Sequence, residues 1–400
     1  MNIITCTESL RKFLIALRLT LLLTKPQLAN LTSIIASVRQ GGFDGKIINI
    51  PELSMRNVHR TSIGKFLSRS PWPTSLVINK YQLYVLAQIS LQARKTGCPV
   101  YAILDDTISE KTKPSSKALR STEGCSFHHS HLRKKRVYGH QIVCVLLECG
   151  GLKLPYYMEL YDKVKQSKIN MVRQIIEALP DFPTKVYVLG DSWYSACSVI
   201  KAAHSRGFEY IGALRANRVL YYEGGPRLGQ KVNVYVKTLT KKDVRLVTVG
   251  NQKYWVHRVN GFIKRLPKTG VILLSWPENK LFEENATHVF YSTCNLSEEV
   301  ILSTYTERWT IEIFFRDNKM QLELDRYQVR GKQAIRRFLT IIVLAYAYCI
   351  SISCDDCRTL GIQRKHVRNE IKQNLIAYVY EQACHGIPLS KINEELGVAV

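Results

Sequence analysis

The chain has 400 residues, and its 57 Lys and Arg against 32 Asp and Glu give a formal charge of +25. That length allows two or three domains and an ample core, and an excess of positive charge calls for a polyanionic partner, nucleic acid or an anionic membrane surface. Eleven cysteines, an odd count scattered without a framework, argue against a disulfide scaffold and for reduced thiols in a cytoplasm-like compartment.

Residues 1–95 read as helical. Thr7-Glu-Ser-Leu-Arg-Lys-Phe-Leu opens one amphipathic segment, interrupted at Arg18 and again near Lys25-Pro26, and without a convincing small-residue cleavage site it is not read as a signal peptide. The run from Met55 to Pro71 has the look of a small helix-turn-helix, with Ser62 as N-cap before Ile63 and Leu67 and with Arg56, Arg60, Lys65 and Arg69 turned toward DNA.

Residues 96–215 alternate between strand and helix patterns. Val100–Leu104 is continuously apolar, as suits a strand buried on both faces, and ends in Asp105-Asp106-Thr107. Further strands are predicted at 139–147 and 152–160, a helix at 169–179, a strand Lys185–Gly190 ending in Asp191-Ser-Trp-Tyr194, a helix at 195–204 and a strand at 209–214. This is an α/β layer with a mixed sheet. Between 139 and the first strand stand His128, His129 and His131, then Arg133-Lys134-Lys135-Arg136, read as a basic loop that touches nucleic-acid phosphate.

Residues 216–290 change character. Runs at 231–236, 243–249, 252–259 and 271–276 alternate with Gly and Pro turns and predict an all-β insertion. Residues 291–345 return to the α/β layer, and 346–400 finish the chain in helices. The most apolar stretch, Leu339–Ile350, is shorter than a bilayer requires and reads as a buried helix, so no membrane span is expected. Cys354-Asp-Asp-Cys357 has no second pair at zinc spacing, and with only Cys384-His385 as conceivable partners no structural zinc is expected.

The most informative segment is Tyr305-Thr-Glu-Arg308-Trp-Thr-Ile-Glu312, continuing to Lys319. On one helix, Tyr305, Arg308, Glu312 and Lys319 fall within an arc of roughly 60°. A carboxylate between an arginine and a lysine on one face can ligate a divalent ion while its neighbours hold phosphates. Asp105, Asp191 and Glu312 then form a three-carboxylate set of hard oxygen donors suited to Mg²⁺ or Mn²⁺. Two such ions, roughly 3.5–4 Å apart, can serve phosphoryl transfer.

With these residues the chain resembles the DDE transposases of bacterial insertion sequences, and in particular the insertion-sequence family numbered four, with its Y-x2-R-x3-E-x6-K helix. Tyr305, Arg308, Glu312 and Lys319 fit that spacing, Asp105-Asp106-Thr107 fits D-x-[ST], and Asp191 the second acidic motif, over roughly residues 97–345. The resemblance implies a ribonuclease-H-like fold interrupted by a β-rich insertion, with an N-terminal helical domain that binds the element's ends. It implies two Mg²⁺ or Mn²⁺ ions on Asp105, Asp191 and Glu312, and double-stranded DNA, the terminal inverted repeats and the target, as partner. A homodimer on DNA in the bacterial cytoplasm, associated with the nucleoid, is implied as well. Tyr305, Arg308 and Lys319 hold the terminal phosphates in that scheme. Adjacent residues on a strand face opposite sides, so only one of Asp105 and Asp106 meets the metals directly; family spacing favours Asp105, with Asp106 as the alternative or a support. The aromatic that relatives place in the insertion has no tryptophan here: the position falls near His288, and the nearby Trp276 reads as core. Two other readings use the same features, a different two-metal nuclease on this fold and an inactive derivative that only binds DNA. A basic membrane-surface protein is disfavoured, because no polybasic run is paired with an apolar helical face.

Overall fold

An apolar run such as Val100–Leu104 must be covered on both faces, and it founds an interior strand of the sheet. In the computed structural model, residues 7–40, 43–56, 58–117, 121–130, 133–352 and 359–396 are described. Their strands are β1 (Val100–Glu110), β2 (Ser126–Ser130), β3 (Lys135–Cys149), β4 (Leu152–Leu160), β5 (Val186–Gly190) and β6 (Glu209–Leu214), then β7 (Val219–Tyr222), β8 (Gln230–Lys231), β9 (Arg245–Val249), β10 (Gln252–Ile263), β11 (Gly270–Pro277) and β12 (His288–Ser292). All lie in one sheet ordered β2-β3-β1-β5-β6-β12-β11-β10-β7-β8, with β4 on β3 and β9 on β10. β3 is antiparallel to both β1 and β4, whereas β5 is parallel to β1 and to β6. Ile142–Leu147 of β3 and all of β5 are buried, the pattern of strands covered on both faces.

The β-rich stretch does not form a separate layer. β12 pairs with β6 on one side and β11 on the other, both antiparallel, so the inserted strands prolong the central sheet. Nor is it all β. The run Lys231–Val236, expected as a strand, gives the short helix α9 (Val232–Val236): the apolar residues that must be buried, Val232 and Tyr235, stand three apart, and Tyr235 Oη meets His257 Nε2 at 2.8 Å.

Six helices precede the sheet: α1 (Glu8–Ala16), α2 (Leu19–Leu22), α3 (Lys25–Gln40), α4 (Ile50–Leu53), α5 (Arg60–Ser68) and α6 (Thr74–Thr96). Thr7 caps α1 by accepting from the Leu10 amide, and Arg18, in the left-handed region at φ 55°, separates α1 from α2. The expected cap at Ser62 is corrected to His59, whose Nδ1 accepts from the Thr61 amide, which leaves Ser62 inside α5. Arg56 does not face outward either: it donates to Asn30 Oδ1 on α3 at 2.7 Å, while Arg60, Lys65 and Arg69 are exposed.

The later helices are α7 (Lys168–Ala178), α8 (Cys197–Ser205), α10 (Glu298–Thr306), α11 (Trp309–Gln321), α12 (Lys332–Ser351), α13 (Leu360–Cys384) and α14 (Leu389–Leu396). The apolar stretch at Leu339–Ile350 belongs to α12, a helix of 20 residues rather than a shorter one. It is the one described helix long and apolar enough to cross a membrane, and 83% of its apolar window is buried inside the fold. α1, α3, α5, α6, α13 and β4 pack around it. Cys354 and Cys357 lie outside the described residues, and every described cysteine is free.

Arg337 fastens α5 to α12. Its guanidinium donates to the carbonyls of Phe66, Leu67 and Trp72 at 3.2, 3.1 and 3.0 Å and to Thr74 Oγ1 at 2.9 Å, satisfying the carbonyls that a helix end leaves open. Arg337→Met keeps the length and removes these donors. The Leu67 carbonyl then loses its donor, while Phe66 O keeps the Trp72 indole and Trp72 O the Thr74 amide, and the change is expected to cost about 2 kcal/mol, read as a lower urea midpoint by circular dichroism.

Candidate active site

β5 ends at Gly190, directly beside Leu104 of β1. Asp191 and Asp105 are therefore the next residues on two parallel neighbours. They differ in setting: Asp191 begins a loop, whereas Asp105 and Asp106 are still inside β1, which continues to Glu110 on β3 alone. The strand does not end before Asp105, as its apolar run had suggested, because β3 goes on supplying hydrogen bonds after β5 has stopped.

The close packing at this fork depends on Gly190. A Cβ there would stand 2.8 Å from Tyr210 Oη and 3.0 Å from Tyr194 Cβ, so only glycine leaves room for both rings. Asp191 Oδ1 accepts from the amides of Trp193 at 2.9 Å and Tyr194 at 3.1 Å, which folds the loop back on itself.

The segment carrying Tyr305, Arg308, Glu312 and Lys319 is two helices, not one. α10 ends at Thr306 and α11 starts at Trp309, with a tightened turn between them: the Arg308, Thr310 and Ile311 amides each bond three residues back. At this turn Arg308, only 12% exposed, reaches two carboxylates. Its Nη1 lies 3.4 Å from Asp105 Oδ2 and its Nη2 bonds Glu312 Oε1, while the buried Nε has no partner. Tyr305 stands beside it, its ring 5.6 Å from the guanidinium and 4.7 Å from the ring of Phe290. Lys319 donates to the Ile108 carbonyl at 3.0 Å, tying α11 to β1, and burial holds its ammonium below the usual lysine range.

Burial pushes the Asp105 carboxyl up to about 7; the Asp106 amide and Arg308 pull against this, and Asp191 and Asp106 add to it. Arg308 is buried too, yet Tyr305, Asp105 and Glu312 around it hold its charge more firmly than usual. Among the described residues no three His, Cys, Asp or Glu side chains converge closely enough to share an ion. Asp105 and Glu312 are instead linked through the guanidinium of Arg308. Asp106 is turned to other partners, Lys168, Tyr194 and Gln141. Tyr194 closes the Gly-Asp-Ser-Trp-Tyr run, but nothing in the sequence singled out Lys168 or Gln141.

Of the basic segment, Arg133 and Lys134 lie in a turn and Lys135 and Arg136 open β3. His128 and His129 lie in β2, opposite Val137 and Arg136 of β3, and His131 falls outside the described residues. Arg133 pairs with Glu110 at 3.1 Å, Lys134, Lys135 and Arg136 are exposed, and the Arg136 guanidinium lies 5.7 Å from the Phe127 ring. His128 is buried, with Nε2 2.9 Å from Ser126 Oγ, and so is no phosphate contact. Trp276 is likewise fully buried, its indole N–H donating to Thr287 Oγ1 at 2.8 Å, in keeping with its reading as core.

Compared with known proteins, residues 97–348 match the family described as Transposase DDE domain. No curated protein matches the chain. Among solved structures, a cryo-EM structure of the piggyBac transposase synaptic complex with hairpin DNA is similar at a TM-score of 0.46 and 9% identity, over 94% of this chain and 76% of that one.

Burial, assisted by nearby Lys163, holds the His128 imidazole down to about 4. The unfolded chain, with histidine near its ordinary value of about 6.5, binds the proton more readily in that interval. Stability contributed by the neutral ring is therefore present above about pH 6.5 and lost as pH falls toward 4. Thermal melts should show Tm falling across this window, and falling less steeply in His128→Gln.

Proposed function

Because its match over residues 97–348 makes this chain a member of the transposase DDE domain family, a transposase acting on DNA, we propose that it cuts at the ends of its own element and joins the freed ends to target DNA, with Asp105, Asp191 and Glu312 as the reacting carboxylates. The observation that carries this is the Arg308 bridge from Asp105 to Glu312 at the fork between β1 and β5. It supports bringing the third acidic residue to the strand ends where the first two stand.

The donor set fits Mg²⁺ or Mn²⁺. All donors are hard oxygens, Asp105 and Glu312 are 20% and 36% exposed, and a cation, the guanidinium, already stands between them. Burial raises the Asp105 carboxyl even with Arg308 beside it, and a divalent ion there would favour its ionised form. Asp105, Asp191 and Glu312 would hold two such ions, which when bound would activate the attacking oxygen and stabilise the leaving one. Water opens the phosphodiester to leave a 3′-hydroxyl and a 5′-phosphate, and that hydroxyl then attacks a target phosphodiester and displaces a target 3′-oxygen.

The chain's own residues do the positioning. Arg308, released from the two carboxylates, presents a planar fork that suits a phosphate, with Tyr305 packed behind it. Lys319 keeps α11 against β1 and has N–H donors left for the DNA backbone. Lys134, Lys135 and Arg136, with Arg133 once it leaves Glu110, meet flanking phosphates, and α5, with Arg60, Lys65 and its C-cap Arg69, holds the terminal repeat. The order β4-β3-β1-β5-β6, three antiparallel strands followed by two parallel ones, supports a ribonuclease-H-like core. The spacing of Tyr305, Arg308, Glu312 and Lys319 supports insertion-sequence family four. Joining two ends at once calls for a homodimer on DNA, and the reduced thiols suit the bacterial cytoplasm.

In Mg²⁺, the wild type should cut a duplex bearing the element's end sequence at the end itself. Asp191→Ala and Glu312→Gln should abolish cutting while leaving gel-shift binding intact; binding without cutting by the wild type itself in both Mg²⁺ and Mn²⁺ would instead mark a DNA-binding derivative. Arg308→Ala should weaken retention of the cut end by roughly tenfold with folding preserved. An unfolded Arg308→Ala protein would give the residue a structural role only.

A further inference from the structure

Asp106 lies beside the proposed cation-holding carboxylates and is fully engaged elsewhere. Its Oδ1 accepts from Lys168 Nζ and from Tyr194 Oη, each at 2.7 Å, and its Oδ2 accepts from Gln141 Nε2. These donors come from three places, the first residue of α7, the loop after β5, and β3. Both oxygens being held from this side, Asp106 is not free to turn toward Glu312.

The bonds continue in both directions along the backbone. The Asp106 amide donates to Asp105 Oδ1 at 2.7 Å, and the Tyr194 amide donates to Asp191 Oδ1 at 3.1 Å. One unbroken path thus runs from Asp105 through Asp106 and Tyr194 to Asp191. Tyr194 is fully buried, and burial, with Asp106 beside it, keeps its phenol protonated and hence a donor. Lys168 also lies 4.7 Å from the Trp193 ring, clamping the loop from outside.

We propose that Asp106 and Tyr194 are positioning residues, a strap that sets Asp105 and Asp191 at a fixed separation for divalent cations before DNA arrives, with Lys168 and Gln141 holding Asp106 in place. This rests on Asp105 and Asp191 being the cation-holding pair. Strand pairing between β1 and β5 stops at Leu104 and Gly190 and by itself leaves both carboxylates free to rotate. The strap fixes the carboxylates, as hydrogen-bonded supports do around metal ligands generally.

The test is Mn²⁺ titration of the full-length protein without DNA, by calorimetry and by the Mn²⁺ electron paramagnetic resonance signal, with Tm as the folding control. Tyr194→Phe, which removes one hydroxyl, should bind Mn²⁺ about tenfold more weakly and broaden the bound signal while Tm stays close to wild type. Lys168→Gln, which frees Asp106 without entering the core, should weaken binding in the same direction and serves if Tyr194→Phe does not fold. Asp191→Asn should lose the high-affinity binding. Wild-type affinity in both Tyr194→Phe and Lys168→Gln, with loss in Asp191→Asn, would overturn the strap and leave the carboxylate site standing. Loss in Asp106→Asn with wild-type binding in Tyr194→Phe would make Asp106 a ligand and likewise overturn it. Unchanged binding in Asp191→Asn would remove the carboxylate reading itself, and a wild type that binds no Mn²⁺ without DNA would overturn a site set in advance.

Discussion

The site depends on β5 stopping where β1 does not. Up to Leu104 the two parallel strands share hydrogen bonds, and from Asp105 onward β1 is held by β3 alone. One edge of β1 is thereby opened at its middle, next to a loop that begins with an aspartate. A fork of this kind, where a parallel neighbour ends beside a continuing antiparallel one, brings side chains from distant parts of the sequence together without distorting any strand. It also supplies partly exposed carboxylates against a buried floor, which raises the energetic weight of every charge placed there.

Two cations answer two aspartates in that setting, and they do different things. Lys168 meets Asp106 in a pair where both side chains are nearly buried, 11% and 13% exposed, with two further donors completing it. That is a closed arrangement. Arg308 meets Asp105 and the more exposed Glu312 with its Nε left unpartnered, a more open arrangement. Adjacent residues on one strand therefore meet different partners, one pair closed and one open, because the strand turns them to opposite sides.

Much of this was legible in the residues. The continuously apolar runs at 100–104 and 186–190 announced strands buried on both faces, and an aspartate directly after each placed two carboxylates at one end of a sheet. The spacing of Arg308 and Glu312 announced a shared helical side, and the pair does meet. What was not legible depended on tertiary contacts. That β1 runs on to Glu110 is decided by β3, not by its own hydropathy. The helix break at Glu307 and Arg308 carries no Gly or Pro to signal it. Val232–Tyr235 alternates like a strand, and only the burial of residues three apart shows the helical turn. The basic run after His131 is charged enough to resemble a solvated loop, although Lys135 and Arg136 pair with Ser130 and His129 as the start of β3. Lys168 is an ordinary helix-opening residue until the fold brings it to Asp106.

The N-terminal helices do more than precede the sheet. They cover α12, a helix apolar enough to pass for a membrane span, and Arg337 rivets them to it from within. A shortened copy of the chain that began after those helices would carry a sticky, unclothed α12 into the cell. Quality control, by chaperones and proteases that recognise such surfaces, would then remove it. The front of the chain thus closes the same core that the sheet rests on and is no appendage to it.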